Sequence, residues 1–357
     1  MSDLAARLPD VKALLVALDA TGYLADEGLG TALFLAARMG QPILLEGEPG
    51  VGKTEAAKAL ADALETRLIR LQCYEGLTSS EALYEWNYPR QLLAIRLAEA
   101  QGGTLRESDL FSAEYLLERP LLAALDHPGP RPAVLLIDEV DRGDDEFEAF
   151  LFELLAESAV TIPELGTRRA VVPPVVVLTS NRTRDLHDAL KRRCLYHWID
   201  YPATGRVAAI IRRRVPAAAV PLAGQVAAGV ARLRGLELAK PPGIAEAISW
   251  TAALHVLGAE KLDEASAEQT AGAVLKYAED LDAARAAGFA SLVSGAALAD
   301  GAALAGGGSG ASEAPRVRDA FPAGGDPLAG DGSGASEVPR VRDAFPAGGD
   351  PLVSDDG

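Results

Sequence analysis

The octapeptide GEPGVGKT, from Gly47 to Thr54, is the most chemically specific string in this chain. It follows a short apolar run, PILLEG at 42–47, and opens a helix-like stretch, so it reads as a turn between a strand and a helix. In that setting Gly47, Gly50 and Gly52 let the backbone curl until its N–H groups converge on phosphate oxygens, with Glu48, Pro49 and Val51 completing the loop. The helix N-terminus adds a favourable dipole. Lys53 would then reach the β- and γ-phosphates of a nucleotide, and Thr54 would place its hydroxyl on Mg²⁺.

A second run, VLLIDE, ends in the adjacent acids Asp138 and Glu139. Unpaired carboxylates at the end of a buried strand are unfavourable, and a divalent cation relieves that. Asp138 is expected to hold Mg²⁺ through water beside Thr54, and Glu139 to polarise an attacking water as general base. A third run, VVVLTSN, ends in Asn181. Alone, an Asn there caps the next helix; placed after the first two motifs, it would contact the γ-phosphate or the water near Glu139. The segment HDALKRRC, 187–194, carries Arg192 and Arg193. Paired arginines there form either a solvated patch suited to a helix C-terminus or a finger entering a neighbouring subunit's site. Guanidinium suits the second role because it is always charged and grips phosphate with two donors. Arg193 is preferred over Arg192, although the spacing does not decide between them.

These groups need a scaffold that brings several strand ends together. PILLEG (42–47), RLIRLQ (67–72), AVLLIDE (133–139) and PVVVLTSN (174–181) are apolar runs of strand length, as expected for parallel strands covered on both faces. Helical periodicity falls between them, in TEAAKALADALET and EFEAFLFELLAES. The fold expected is therefore α/β, a parallel sheet flanked by helices, over residues 1–202 with a helical lead-in. No strand is expected after Pro202, and residues 203–290 read as a small all-α lid. One of its helical stretches, 266–287, reads as continuous.

Residues 291–357 form a Gly/Ala/Pro-rich tail, in which GSGASEAPRVRDAFPAGGDPL at 308–328 recurs at 332–352 with Val338 in place of Ala314. Its low apolar content predicts disorder. Its recurring VRDAF is either a docking peptide or a duplication in a tail under little constraint.

The 357 residues fit about two folded domains. The net charge of −17, from 51 acidic and 34 basic residues, opposes strong sequence-independent nucleic-acid binding. Two cysteines, Cys73 and Cys194, cannot staple a chain this long, which suggests a reducing compartment. Each reads as a reactive thiol or, more commonly, a buried structural one. The start of the chain does not read as a signal peptide, and no uncharged apolar stretch is long enough to span a bilayer, so a cytoplasmic location is expected. His127, His187, His197 and His255 show no metal-ligand spacing.

The order of phosphate loop, Asp-Glu strand, Asn strand, paired arginines and helical lid resembles AAA+ ATPases. TIPELGTRRAVVPP (161–174) reads as a β-hairpin and is similar to the pre-sensor hairpin of the MoxR branch. LIRLQCYEGLTSSEALYEWNY (68–88), DRGDDEFEAFL (141–151) and SNRTRDLHDALKRRCLYHWIDYP (180–202) resemble its CoxD-like subfamily, associated with maturation of molybdenum–copper carbon monoxide dehydrogenase.

The resemblance covers roughly residues 20–290. It implies ATP and Mg²⁺ as ligands, ATP hydrolysis, and a hexameric ring with each site between subunits. It also implies remodelling of a client molybdenum-containing dehydrogenase for metal or sulfur insertion, together with a partner bearing a von Willebrand A domain. The other reading of the same engine is a clamp-loader-like remodeller of a nucleic-acid or protein assembly. Such lids commonly place an Arg near the γ-phosphate, whereas ELAKPPGIAEAIS (237–249) has none; Lys240, the nearest cation, either substitutes for it or is a solvated lysine in a lid that senses nucleotide weakly. Tyr74, Tyr84, Trp86 and Tyr88 lie where these rings place pore-facing loops; client contact and ordinary packing both fit them.

Overall fold

The computed structural model describes residues 7–294, so the duplicated tail segments lie outside the described residues. Two helices lead in. The Asp10 carboxylate accepts the Ala13 N–H at 2.8 Å to start α1 (Val11–Ala20), and Asp26 caps α2 (Glu27–Met39) through Leu29 in the same way.

The phosphate loop then links β1 (Ile43–Gly47) to α3 (Lys53–Ala63), and β2 (Leu68–Gln72) follows. Next comes an insertion that the sequence reading does not anticipate: α4 (Ser79–Leu83), β3 (Tyr84–Trp86), α5 (Tyr88–Ala100), α6 (Glu107–Leu110), β4 (Leu116–Glu118) and α7 (Pro120–Leu125). Because β3 and β4 pair antiparallel, Tyr84 opposite Glu118, the segment that holds α5 and α6 loops out from a short ribbon.

β5 (Val134–Asp138) and α8 (Asp145–Glu157) lead into a hairpin of β6 (Ala159–Ile162) and β7 (Gly166–Arg169). The hairpin starts two residues earlier than 161 and its second strand stops at Arg169. β8 (Val175–Ser180), α9 (Asp188–Arg193) and β9 (Leu195–Ile199) complete the α/β part.

The five main strands form one parallel sheet in the order β2-β5-β8-β1-β9. β5, β8 and β1 are interior and buried along their length, which is why their sequences are unbroken apolar runs. Alternate residues face opposite sides. Leu44, Leu135, Val176 and Leu178 pack on the side of α7 and α8, while Ile43, Leu45, Leu136 and Val177 pack against α1, α2 and α3. β9 is an edge strand with Tyr196 and Trp198 exposed, so its sequence LYHWI alternates and does not present an apolar run.

Six helices follow: α10 (Thr204–Arg214), α11 (Val220–Leu233), α12 (Ile244–Val256), α13 (Glu264–Val274), α14 (Ala278–Ala287) and α15 (Phe289–Ser294). They share an apolar cluster of their own, centred on Trp250, Val226 and Leu254, which Phe289 and Leu292 extend past residue 290. The stretch 266–287 is broken between α13 and α14. Leu275 turns to an extended conformation and buries its side chain, and Lys276 Nζ caps the carbonyls of Gly272 and Ala273 at 3.1 and 2.8 Å. Among the described residues no helix is long and apolar enough to cross a membrane.

Since β8 lies between β1 and β5, the three motifs end side by side at one edge of the sheet, where parallel sheets bind ligands.

Candidate nucleotide site

The loop between β1 and α3 has a shape that side chains would obstruct. Gly50 adopts φ 80°, and a Cβ there would lie 3.2 Å from the Gly243 Cα of the lid; a Cβ on Gly47 would lie 2.5 Å from the Ile199 carbonyl oxygen. α3 starts at Gly52 with no side-chain cap, so its first N–H groups face the loop's concavity. Lys53 is buried, and its Nζ donates to the carbonyls of Gly47 at 2.7 Å and Glu48 at 2.9 Å. Burial pushes its pKa below the ordinary lysine value, while the charges of Asp141, Asp138, Glu139 and Glu46 push it back up.

Asp138, 2% exposed at the end of β5, meets Thr54 directly: Thr54 Oγ1 lies 3.0 and 3.2 Å from its two carboxylate oxygens. Thr179 Oγ1 donates to Asp138 Oδ1 at 2.5 Å, and Arg70, from β2, donates to Oδ2 through Nη2 at 2.6 Å and Nε at 3.0 Å. A hydroxyl and a carboxylate side by side are the hard oxygen donors that suit Mg²⁺.

Glu139 sits in the left-handed region at φ 55°, with its N–H bonded to Thr179 Oγ1 at 3.0 Å. Its carboxylate pairs with Arg142 Nε at 2.6 Å. Asn181 leaves β8 half-buried, its N–H donating to Asp141 Oδ2 at 3.2 Å. The structure therefore brings Lys53, Thr54, Asp138, Glu139 and Asn181 to one place. Arg70, Thr179 and Asp141, which sequence reasoning does not single out, hold them there.

Three expected residues lie elsewhere. Leu195 N–H bonds the Pro42 carbonyl at 2.7 Å and Gln41 Nε2 bonds the Arg193 carbonyl at 3.1 Å, which fixes the end of α9 beside the start of β1. The phosphate loop leaves the other end of that five-residue strand, roughly 13 Å away. Arg192 and Arg193 are thus exposed at the opposite end of the sheet from their own loop, with the Arg193 guanidinium 4.5 Å from the centroid of the Phe152 ring.

Lys240 also stays out. Its backbone N–H is taken by Asp280 at 3.1 Å, its side chain is exposed, and it forms no hydrogen bond or ion pair with the loop among the described residues. The lid cation that does meet the loop is Arg234, just after α11. Its Nη2 lies 2.5 Å from Glu48 Oε2, its Nη1 donates to the Pro242 carbonyl at 3.0 Å, and its guanidinium stacks 3.9 Å from the Tyr201 centroid. Nothing in the string around Arg234 marks it; only the packing of lid against sheet does.

Beside Gly52 opens a cavity of about 610 Å³, walled by Tyr23 of the lead-in, Val51 of the loop, Tyr201 after β9, and Ile210 and Ile244 of the lid. The Tyr23 hydroxyl reaches the Gly52 carbonyl at 3.4 Å, and burial raises its pKa. Tyr201 Oη is buried with no hydrogen-bond partner among the described residues, and burial pushes its pKa up to about 12. A cavity with these apolar walls, lined also by charged groups that include Asp62, Arg206 and Arg214, fits a nucleoside next to a loop that fits its phosphates.

The candidate pore-facing aromatics separate. Trp86 is buried and Tyr84 packs on it edge-on, whereas Tyr74 and Tyr88 are exposed. Among the described residues no group of His, Cys, Asp and Glu could hold a transition metal.

A five-stranded parallel sheet with this loop, Asp-Glu pair and polar strand end, followed by a helical region, defines the P-loop fold of AAA+ ATPases. Consistent with that, residues 42–194 match the AAA domain of the dynein-related subfamily, and the chain carries an AAA+ ATPase domain. No curated protein matches the chain significantly. Similar solved structures include the Thermotoga maritima RuvB Holliday junction branch migration motor, 19% identical with TM-score 0.41 over 74% of this chain and 71% of that one. Another is domain III of the T. maritima replication initiation protein DnaA, 15% identical with TM-score 0.41 over 72% of this chain and 96% of that one.

Proposed function

We propose that this protein hydrolyses ATP and uses the cycle as a ring-forming chaperone of MoxR type, closest to the CoxD-like branch. The observation that carries the ATPase reading is the convergence of Lys53, Thr54, Asp138, Glu139 and Asn181 at adjacent strand ends. The loop from Gly47 to Gly52 wraps the phosphates with its N–H groups, and Lys53 offsets their charge. Thr54 and Asp138 would hold magnesium, which would supply charge neutralisation on the phosphate oxygens when bound.

Glu139 takes a proton from the attacking water as its oxygen bonds the γ-phosphorus. The bond to the bridging oxygen breaks, and ADP and phosphate leave. Asn181 orients the water or the γ-phosphate. Because Arg193 lies away from its own loop, it completes a neighbour's pocket, which requires an oligomer, on this reading a hexamer. The client on this reading is a molybdenum-containing dehydrogenase, engaged together with a von Willebrand A partner. The hairpin β6–β7 supports that branch.

The test uses Lys53→Ala and Glu139→Gln. Lys53→Ala is expected to lose ATP binding, and Glu139→Gln to bind ATP normally while hydrolysing it about a hundredfold or more slowly. Normal turnover by Glu139→Gln removes it as the base. Affinity capture with Glu139→Gln in ATP should recover a molybdenum hydroxylase or a von Willebrand A protein; recovery of neither overturns the client assignment.

A further inference from the structure

Past the last ladder pair between β5 and β8, Ile137 with Leu178, two loops leave the sheet, one carrying Glu139 and the other Asn181. Among the described residues no backbone hydrogen bond joins them. Side chains do the joining. Thr179 bridges Glu139 and Asp138 at the root of the loops, and Arg184 ties the far end by donating to the Gly143 carbonyl at 2.9 Å.

Between these anchors sits Asp141, 2% exposed, in the turn right after Glu139. One of its oxygens, Oδ2, accepts three donors from the Asn181 loop: the N–H of Asn181 at 3.2 Å, the N–H of Thr183 at 2.8 Å and the Thr183 hydroxyl at 2.7 Å. Two backbone N–H groups can converge on one oxygen because Arg182 between them is left-handed, at φ 57°. Glu139 is left-handed as well. Both unusual conformations thus sit on either side of one carboxylate, which is where a backbone held for function would be braced.

The other oxygen, Oδ1, is buried with no hydrogen-bond partner among the described residues. Packing alone gives no reason to keep a carboxylate with an unsatisfied buried oxygen here. Its charge raises the Lys53 pKa against the lowering by burial.

The geometry points to Asp141 as a positioning residue that couples Asn181 to Glu139, so that the contact Asn181 makes with the γ-phosphate or its water fixes the turn that presents the base. This rests on the ATPase reading above. On that reading Asp141 acts through Asn181 and Glu139 and not on the nucleotide itself.

A mutant cycle in the full chain tests it, using Asp141→Asn, Asp141→Ala, Asn181→Ala and the two double variants. Hydrolysis rate, affinity for ATP with Mg²⁺ and melting temperature are measured for each. Asn keeps an acceptor for the two N–H groups but loses charge, so Asp141→Asn is expected to lower kcat about fivefold and Asp141→Ala about fiftyfold, with Kd within about threefold. Each double variant should hydrolyse at the rate of Asn181→Ala alone.

Losses that multiply in the double variants overturn the coupling. Affinity and melting temperature falling in step with rate reduce Asp141 to a fold-stabilising group and overturn it too. Should Asp141→Ala not fold, the Asp141→Asn cycle decides alone. A parent chain that neither binds nor cleaves ATP sinks the ATPase reading itself, whereas an active parent with independent variants sinks only the coupling.

Discussion

Arg234 Nη2 lies 2.5 Å from Glu48 Oε2, so a residue of the helical lid holds a side chain of the phosphate loop. The contact is one of several at that point. The Ile244 N–H donates to the Gly50 carbonyl at 3.1 Å, and the Gly243 and Gly50 backbones touch. Arg234 is itself held by its stack on Tyr201 and its bond to the Pro242 carbonyl, which leaves its side chain 16% exposed. A lid joined to the loop in this way cannot move without disturbing the phosphate cradle.

Arg234→Ala is therefore expected to lower kcat/KM for ATP by roughly tenfold, in line with loss of a desolvated guanidinium that stacks and hydrogen-bonds. Lys240→Ala should stay within about twofold, as exposed charges do. Steady-state hydrolysis of the two variants side by side settles which cation matters. A larger loss in Lys240→Ala would mean that the lid rearranges so as to exchange the two.

Strands buried on both faces announce themselves, so β1, β5 and β8 were legible as apolar runs with their polar termini, and with them Lys53, Thr54, Asp138, Glu139 and Asn181. β9 was not, because LYHWI carries no continuous apolar run, whereas the other edge strand, β2, still shows Leu68, Ile69 and Leu71. The ribbon of β3 and β4 was hidden for another reason: its two three-residue strands lie thirty residues apart, too short for periodicity and too distant for a turn signal. Arg234, Asp141 and Arg70 act through residues remote in sequence, Glu48, Thr183 and Asp138. Each string in isolation shows only a charged residue near the end of an element. Lys240 stands out in the sequence only as the cation nearest the proline-marked start of α12; in space the end of α11 arrives at the loop first.

The two thiols give a pH-dependent test. Burial pushes Cys73 up to about 12, helped by the charges of Asp138, Asp141 and Glu139, and burial alone pushes Cys194 up to about 12. An unfolded thiol ionises near about 8.5, so at pH 8 the folded chain should hold only about one thiolate in ten thousand at each position. Folded protein should resist iodoacetamide at pH 8, and both cysteines should label quickly in urea. The sign for stability follows from the raised values. Below pH 8.5 the neutral thiol is common to both states and stability is unaffected by it; as pH rises from there toward 12 only the unfolded chain ionises, and stability falls. Rapid labelling of either cysteine in the folded chain would return it to the reactive class.

The position of Arg193 makes the most demanding prediction. Its backbone is tied to Gln41 at the start of β1, and its guanidinium rests over Phe152, so no side-chain rotation brings it to the loop at the far end of the strand. If it acts on ATP, it must act on a neighbour's. Arg193→Ala is then expected to bind ATP within about threefold of the parent and to hydrolyse it about a thousandfold more slowly, the lower end of the scale on which such fingers act. Mixing separates the in-trans role from any other. Glu139→Gln subunits retain an intact finger but cannot use their own site; Arg193→Ala subunits retain the base but lack a finger for the next site. At an interface where a Glu139→Gln subunit offers its arginine to an Arg193→Ala subunit, one complete pocket is rebuilt. Hydrolysis by the mixture should rise well above the sum of the two variants assayed separately and depend on total concentration, because the pocket exists only in the assembly. An equal mixture that shows only the summed activity shifts the role to Arg192, which the same mixing protocol with Arg192→Ala then examines.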